Sequence, residues 1–268
     1  MSLTNLGVAA FLSCALFGTV LAPMTRAQSQ PPMATAAKTD VPDPADQGWH
    51  LDLVPYIWIP AINGSVGAAG HEAGFHVGAG DVLSYFEFGL AGAVEARYNR
   101  IIIPVDFMWA KLSTDKGTSP EQGVRSVHIK LNQDLFTPKI GYRVVNAPKF
   151  KADALFGVRY WHFGTTLNLQ PQAIFGGHYS GINWVDGVAG ARFQVPLSPK
   201  VVLSLAGDAG GGGARLDYQV VGLIGFKVRK VMLETGWRYT TIHKTPTDGS
   251  FVNLSITGVV FAAVIPLK

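Results

Sequence analysis

Few side chains in this sequence have the type and spacing for bond-making chemistry. Ser126 and His128 are the nearest approach to a hydroxyl nucleophile with an imidazole base, and an alternating strand would set both on one face. No local motif supports the pair, so an enzyme is not expected. His162, His178 and His243 fall near loop ends, too far apart for a recognisable metal site, and no metal or cofactor is expected. Gly210 to Gly213 form an unbroken glycine run, but no Lys-Ser or Lys-Thr and no helix follow it. It reads as a tight corner and not as a phosphate cradle.

What remains is a set of isolated charges among glycines and alanines. The acids are Glu87, Glu95, Asp106, Asp134, Asp153, Asp186, Asp208 and Glu234; the bases are Arg97, Arg159, Arg192 and Arg238, joined by Lys130, Lys139 and Arg143. The two signs nearly balance. On one reading these side chains line a pore and select what passes. On the other they are buried pairs that hold a filled lumen together.

The elements that would position these charges follow from the hydrophobic period. Phe86, Phe88, Leu90, Val94 and Tyr98 alternate with Glu87, Glu95 and Arg97, Asn99-Arg100 makes a turn, and Ile101, Ile103, Val105, Phe107 and Trp109 resume the pattern opposite Asp106. A period of two marks strands. Ten such runs lie between Trp49 and the end of the chain. In the Val127–Val144 run the parity of the apolar set changes, which predicts a β-bulge near Leu135-Phe136. Short connections alternate with longer ones (Asn63–Tyr85, Ser113–Gly123, Gln170–Ser180, Lys244–Ser250), as in outer-membrane barrels, and an even strand count puts both termini on the periplasmic side. Tyr98, Trp109, Tyr142, Tyr160, Trp237 and Tyr239 close the greasy faces, as membrane-interface aromatics do. Backbone groups in hydrocarbon must all be paired, so a spanning sheet has to close on itself. The predicted fold is therefore all-β: a closed antiparallel up-and-down transmembrane barrel of about 10 strands (roughly 8–12). A soluble β-sandwich or a lipocalin-like secreted barrel is the rival.

Composition bounds the rest. The chain has 268 residues, 48% hydrophobic and 15% charged, with a single cysteine, Cys14. These values exclude a wholly disordered chain and a disulfide framework. Residues Gly7 to Met24 are almost continuously apolar and end in Thr25-Arg26-Ala27, which predicts a signal peptide over 1–27; an N-terminal membrane anchor competes with it. Residues 28–48, rich in proline and small residues, read as a disordered lead-in, and 49–268 as the barrel. A formal charge of +4 with no clustered basic face predicts no nucleic-acid partner.

Several segments carry a resemblance. They are Val54-Pro55-Tyr56-Ile57-Trp58-Ile59-Pro60-Ala61-Ile62-Asn63-Gly64, Gly157-Val158-Arg159-Tyr160-Trp161, Trp184-Val185-Asp186-Gly187-Val188-Ala189-Gly190, Gly207-Asp208-Ala209-Gly210-Gly211 and Gly236-Trp237-Arg238-Tyr239. In this order they resemble a largely uncharacterised family of outer-membrane β-barrels of Gram-negative bacteria, in the OmpW-like or porin-like group. The resemblance implies a fold and a place, with outer-membrane lipids and the barrel assembly machinery as partners, and no reaction. Such barrels usually finish on an aromatic residue, whereas this chain finishes Ile265-Pro266-Leu267-Lys268. Either Phe261 serves, or the last residues run past the barrel, or insertion is less standard. The function expected is a small passive pore or solute-transfer channel with a narrow charge-paired lumen. The alternative is a non-conducting structural or interaction barrel with a plugged lumen and binding loops.

Overall fold

A computed structural model describes residues 48–68, 71–117, 126–170, 177–245 and 251–267. The expected signal peptide and almost all of the lead-in lie outside these residues. Alternating residues form β1 (Trp49–Ala68), β2 (His71–Val77), β3 (Phe86–Tyr98), β4 (Ile101–Gly117), β5 (Ser126–Ala147), β6 (Phe150–Gln170), β7 (Gly177–Ser198), β8 (Val201–Gly212), β9 (Leu216–Val228), β10 (Val231–Lys244) and β11 (Phe251–Pro266). A short helix, α1 (Ala79–Tyr85), precedes β3. From β3 to β11 each strand pairs antiparallel with the next, and β11 returns to β1 from Asp52↔Pro266 to Gly67↔Phe251. The wall is thus a closed barrel of ten strands, β1 and β3 to β11, with β2 as a short extra strand against the far half of β1. The connection from Asn63 to Tyr85, expected to be a loop, instead holds the end of β1, then β2 and α1.

Four two-residue turns join strands at one end, at Asn99-Arg100, Pro148-Lys149, Pro199-Lys200 and Arg229-Lys230. Asn99 and Arg229 have φ of 53° and 56°, the left-handed backbone such hairpins use. Both ends of the wall sequence meet there, since Asp52 faces Pro266 and the Leu267 N–H donates to the Leu51 carbonyl at 2.8 Å. The last residues therefore complete the wall instead of running past it.

A belt of large apolar residues faces outward around the wall: Ile57, Leu90, Ile140, Phe156, Val220 and Phe261 are all exposed. Aromatic rings bound this belt at two heights. Near the turns lie the pairs Trp49–Tyr98 (centroids 5.1 Å apart) and Phe150–Phe193 (6.0 Å), with Tyr142. Further along lie Phe88–Trp109 (5.2 Å) and Tyr218–Tyr239 (5.9 Å), with Tyr160 and Trp237. The register from Tyr98↔Ile101 to Leu90↔Trp109 separates the two rings by about eight residues, roughly 20 Å along the axis at ordinary strand rise and tilt.

The interior alternation differs from expectation at three charges and one bulge. The β4–β5 register is unbroken through Trp109↔Asp134, Met108↔Leu135 and Phe107↔Phe136, and the bulge lies instead between Arg143 and Val145. Leu131, Leu135 and Thr137 consequently face inward, and Lys130, which is exposed, and Asp134 share the outward face with Phe136 and Ile140. Asp134 is not a lumen residue. The parity only seemed to change, because the lumen near the loops is itself apolar. Glu87 occupies the register shift between Phe86 and Phe88 and is exposed; the bulge takes it out of the inward row.

Glycines let the strongly coiled wall close. A Cβ on Gly236 would collide with the Gly222 carbonyl and lie 2.8 Å from the Leu223 Cα. Gly236→Val is expected to cost about 1–3 kcal/mol by overpacking, read as a lower urea midpoint for the protein in micelles.

Candidate functional site

The inward row of each strand builds the lumen in three tiers. At the turn end is a polar vestibule of about 380 Å³, lined by Asp52, Glu95, Arg97, Arg192, Gln194 and Glu234 among others. Above it, charges from opposite sides of the wall meet. Arg192 on β7 reaches Glu95 on β3 at 2.5 Å and Asp153 on β6 at 2.9 Å, and Asp153 also holds Arg143 on β5 at 2.8 Å. Arg159 on β6 donates to Asp208 on β8 at 2.5 Å and to Asp217 on β9 at 2.6 Å, while Lys139 reaches Asp208 at 2.5 Å. Arg238 on β10 crosses to Asp106 on β4 at 2.9 Å and donates to the Gln219 carbonyl oxygen at 2.9 Å. The Tyr56 hydroxyl, on β1, donates to Asp106 at 2.7 Å and accepts from Arg238 at 3.0 Å. The Arg238 guanidinium also lies 4.8 Å from the centre of the Trp58 ring.

This tier is a septum. Arg159 is 0% exposed, and Arg143, Asp153, Asp186 and Asp217 are likewise buried. Burying an ion costs several kcal/mol unless its partner is well placed and its other hydrogen bonds are met. That requirement explains why the charges come as a shared lattice and not as separate pairs. Arg159 and Arg192 each bridge two carboxylates, Arg238 reaches Asp106, Gln219 and Tyr56, and Arg143 clasps both oxygens of Asp153, so the lattice ties several strands together and fills the space between them.

Toward the loops the lumen turns apolar. Trp161, Phe163 and Trp184 stack with centroids 5.5–6.3 Å apart, packed with Leu135, Ala214 and Ile242. Their polar edges still reach the septum. The Trp161 indole donates to Asp217 at 2.8 Å, and the Trp184 indole donates to Asp186 at 2.7 Å. Asp186 also accepts the backbone N–H of Ala214 at 2.6 Å, tying down the Gly210–Gly213 corner. Beyond the stack lies an apolar chamber of about 180 Å³, lined by Ile62, Phe75, Leu112, Phe163, Ile182, Leu254 and Ile256 among others.

Of the charges singled out from the sequence, Glu95, Asp106, Asp153, Arg159, Arg192, Asp208 and Arg238 meet in the septum, Asp186 anchors its loop side, and Arg97 and Glu234 line the vestibule. Asp217, Tyr56 and Gln219 were missed. Asp217 stands in the inward row opposite Arg159, and that parity was the available signal. The side chains of Ser126, His128 and His178 lie outside the described ones. His162 shares the outward face with Tyr160, across from Asp134, and His243 is paired with Asn253 at 2.9 Å. Among the described residues no cluster of three His, Cys, Asp or Glu side chains is placed to hold a metal.

No protein-family model matches the chain. No curated protein matches it either. Among solved structures it is similar to the outer membrane protease OmpT of Escherichia coli, at 10% identity and a TM-score of 0.50 over 85% of this chain and 98% of that one. It also matches Ail, the attachment invasion locus protein of Yersinia pestis (10% identity, TM-score 0.32, 81% of this chain and 99% of that one). A third match is the toluene transporter TbuX of Ralstonia pickettii (9% identity, TM-score 0.30, 81% and 89%). At these identities the likeness to OmpT speaks for the closed antiparallel barrel fold and for nothing finer.

Proposed function

We propose that this protein is an outer-membrane barrel of a Gram-negative bacterium that transfers small solutes, and that its lumen rests closed. The membrane assignment draws on the exposed aliphatic belt between two aromatic rings, a surface that water would not tolerate at this extent. The observation that carries the transfer reading is the septum between two cavities, a vestibule of about 380 Å³ and a chamber of about 180 Å³. A purely structural plug has no need of a chamber on each side.

Planar-bilayer recording tests this reading. Wild-type protein is expected to leave the current near baseline. The double variant Arg238→Gln with Asp106→Asn removes one charge of each sign at similar volume and is expected to give discrete steps. Steady water-filled-pore conductance in the wild type contradicts a closed lumen. Silence from a folded double variant contradicts a passage.

A further inference from the structure

Charges that the sequence scatters are gathered at one end when the barrel closes. The second residue of each two-residue turn is a base: Arg100, Lys149, Lys200 and Lys230. Lys227 and Arg229 add two more beside the last of them. No carboxylate offsets them along the chain, since residues 96–105, 135–152, 193–207 and 218–233 contain neither Asp nor Glu. All but Arg100 are exposed, and among the described residues none of the six side chains makes an ion pair. Two of them are set directly against each other. Val201 pairs with Phe226, so Lys200 and Lys227 stand opposite at the next step of the ladder, where the Lys227 N–H donates to the Lys200 carbonyl at 2.8 Å. Like charges directly opposite weaken a sheet. An end built only of bases therefore costs the barrel stability, and an anion supplied from outside removes that cost.

The depth of these bases identifies the anion. Exposed apolar side chains continue up to every turn: Tyr98 and Ile101 bracket the first, Phe150 follows the second, Leu197 precedes the third and Val228 the fourth. Tyr98 stacks near Trp49, and Phe150 near Phe193, in the aromatic ring that marks the membrane interface at this end. The apolar belt has no polar margin here, and a two-residue turn projects little beyond it. The bases thus lie at the level of the lipid phosphates, which their long stems reach from the end of the belt. They are also spread around the wall, at the β3–β4, β5–β6, β7–β8 and β9–β10 corners. A soluble acidic partner would have to lie flat on the membrane to meet all four corners, whereas the lipids of that leaflet already surround them. The loop end is different: Lys111 lies 4.8 Å from the centre of the Trp109 ring, and Lys130 shares its outward face with Asp134.

We infer that the turn end of the barrel binds anionic phospholipid headgroups and gathers lipids of the phosphatidylglycerol type around the wall in the leaflet that faces the periplasm. Such a headgroup carries a full negative charge with no ammonium to offset it, which separates it from zwitterionic phospholipids. Lys200, Lys227, Arg229 and Lys230, brought together by the β8–β9 and β9–β10 pairings, form the densest group. Each base close to an anionic surface is worth roughly a fivefold preference. The inference rests on the membrane assignment and is independent of whether the lumen passes a solute.

The test is lipid selectivity by electron spin resonance. The protein is refolded into phosphatidylcholine vesicles holding a trace of phosphatidylglycerol or phosphatidylcholine spin-labelled near the end of one acyl chain. The motionally restricted fraction of each spectrum gives the relative affinity of the two lipids for the wall. Phosphatidylglycerol is expected to be preferred roughly two- to fivefold at low salt, because the turn-end sites are averaged with the rest of the lipid shell. The preference is expected to vanish at about 1 M salt, where such charges are screened. It is also expected to vanish in the combined variant K149Q, K200Q, K227Q, R229Q and K230Q. It is expected to persist when those four lysines become arginine, and in K111Q with K130Q at the loop end. Unheated gel mobility verifies that each variant is folded. No preference in the wild type, or one that survives high salt or the folded glutamine variant, overturns the inference. Protein that fails to float with the vesicles overturns the membrane assignment as well, whereas insertion without selectivity overturns this inference alone.

Discussion

Arg159→Ala is expected to cost the barrel about 3–5 kcal/mol, the usual penalty for removing one partner of a buried ion pair. Arg159 is wholly buried and bridges Asp208 at 2.5 Å to Asp217 at 2.6 Å, so its loss strands a carboxylate in a dry interior. Asp208 keeps Lys139, whereas Asp217 keeps the Trp161 indole, a neutral donor. Asp217 is therefore the group left worst off. The double variant Arg159→Met with Asp217→Asn removes both charges, and most of the lost stability is expected to return. Urea midpoints from tryptophan fluorescence, with unheated gel mobility as the measure of folding, check both. Equal loss in the single and the double variant would show that packing, not charge pairing, holds this tier.

Trp161→Ala has an effect of similar size and a different cause. Trp161 is 0% exposed at the centre of the cluster with Leu135, Trp184, Ala214 and Ile242. Truncating so large a buried ring costs about 3–5 kcal/mol through lost transfer energy and the cavity left behind. Trp161→Phe restores a ring to the stack but removes the N–H that Asp217 accepts at 2.8 Å. That variant is expected to lose about 1–3 kcal/mol, the cost of leaving a buried acceptor short of a donor. Denaturation midpoints separate the two substitutions. A Trp161→Phe midpoint equal to wild type would mean that water or another donor satisfies Asp217.

The strands and their faces were legible because a membrane barrel inverts one simple rule: greasy residues face out, and sparse charges face in. That rule located Arg159, Asp186, Arg192 and Arg238 without any knowledge of their partners. It failed where the lumen itself becomes apolar. Leu135 packs in the tryptophan stack and Leu131 lines the chamber, so they mimicked a lipid-facing row and put Lys130 and Asp134 on the wrong face. Trp161 and Trp184 were hidden in the same way, as bulky residues in rows assigned to charge. Glu87 was lost to a bulge that leaves no mark in the alternation. The pairing of Arg192 with Glu95, across four strands, depends on barrel closure and no local pattern carries it.

The most direct test of the divided lumen is thiol reactivity at three depths, with Cys14 replaced by serine. Glu234→Cys stands in the vestibule, Thr240→Cys in the septum, where Thr240 is 0% exposed, and Ile256→Cys in the chamber. A charged methanethiosulfonate reagent is expected to modify the vestibule cysteine rapidly. It is expected to modify the septum cysteine at least about a hundredfold more slowly, as an opening costing roughly 3 kcal/mol implies, and the Arg238→Gln with Asp106→Asn background removes most of that difference. Comparable rates at the vestibule and septum positions in the otherwise wild-type protein would contradict a closed septum.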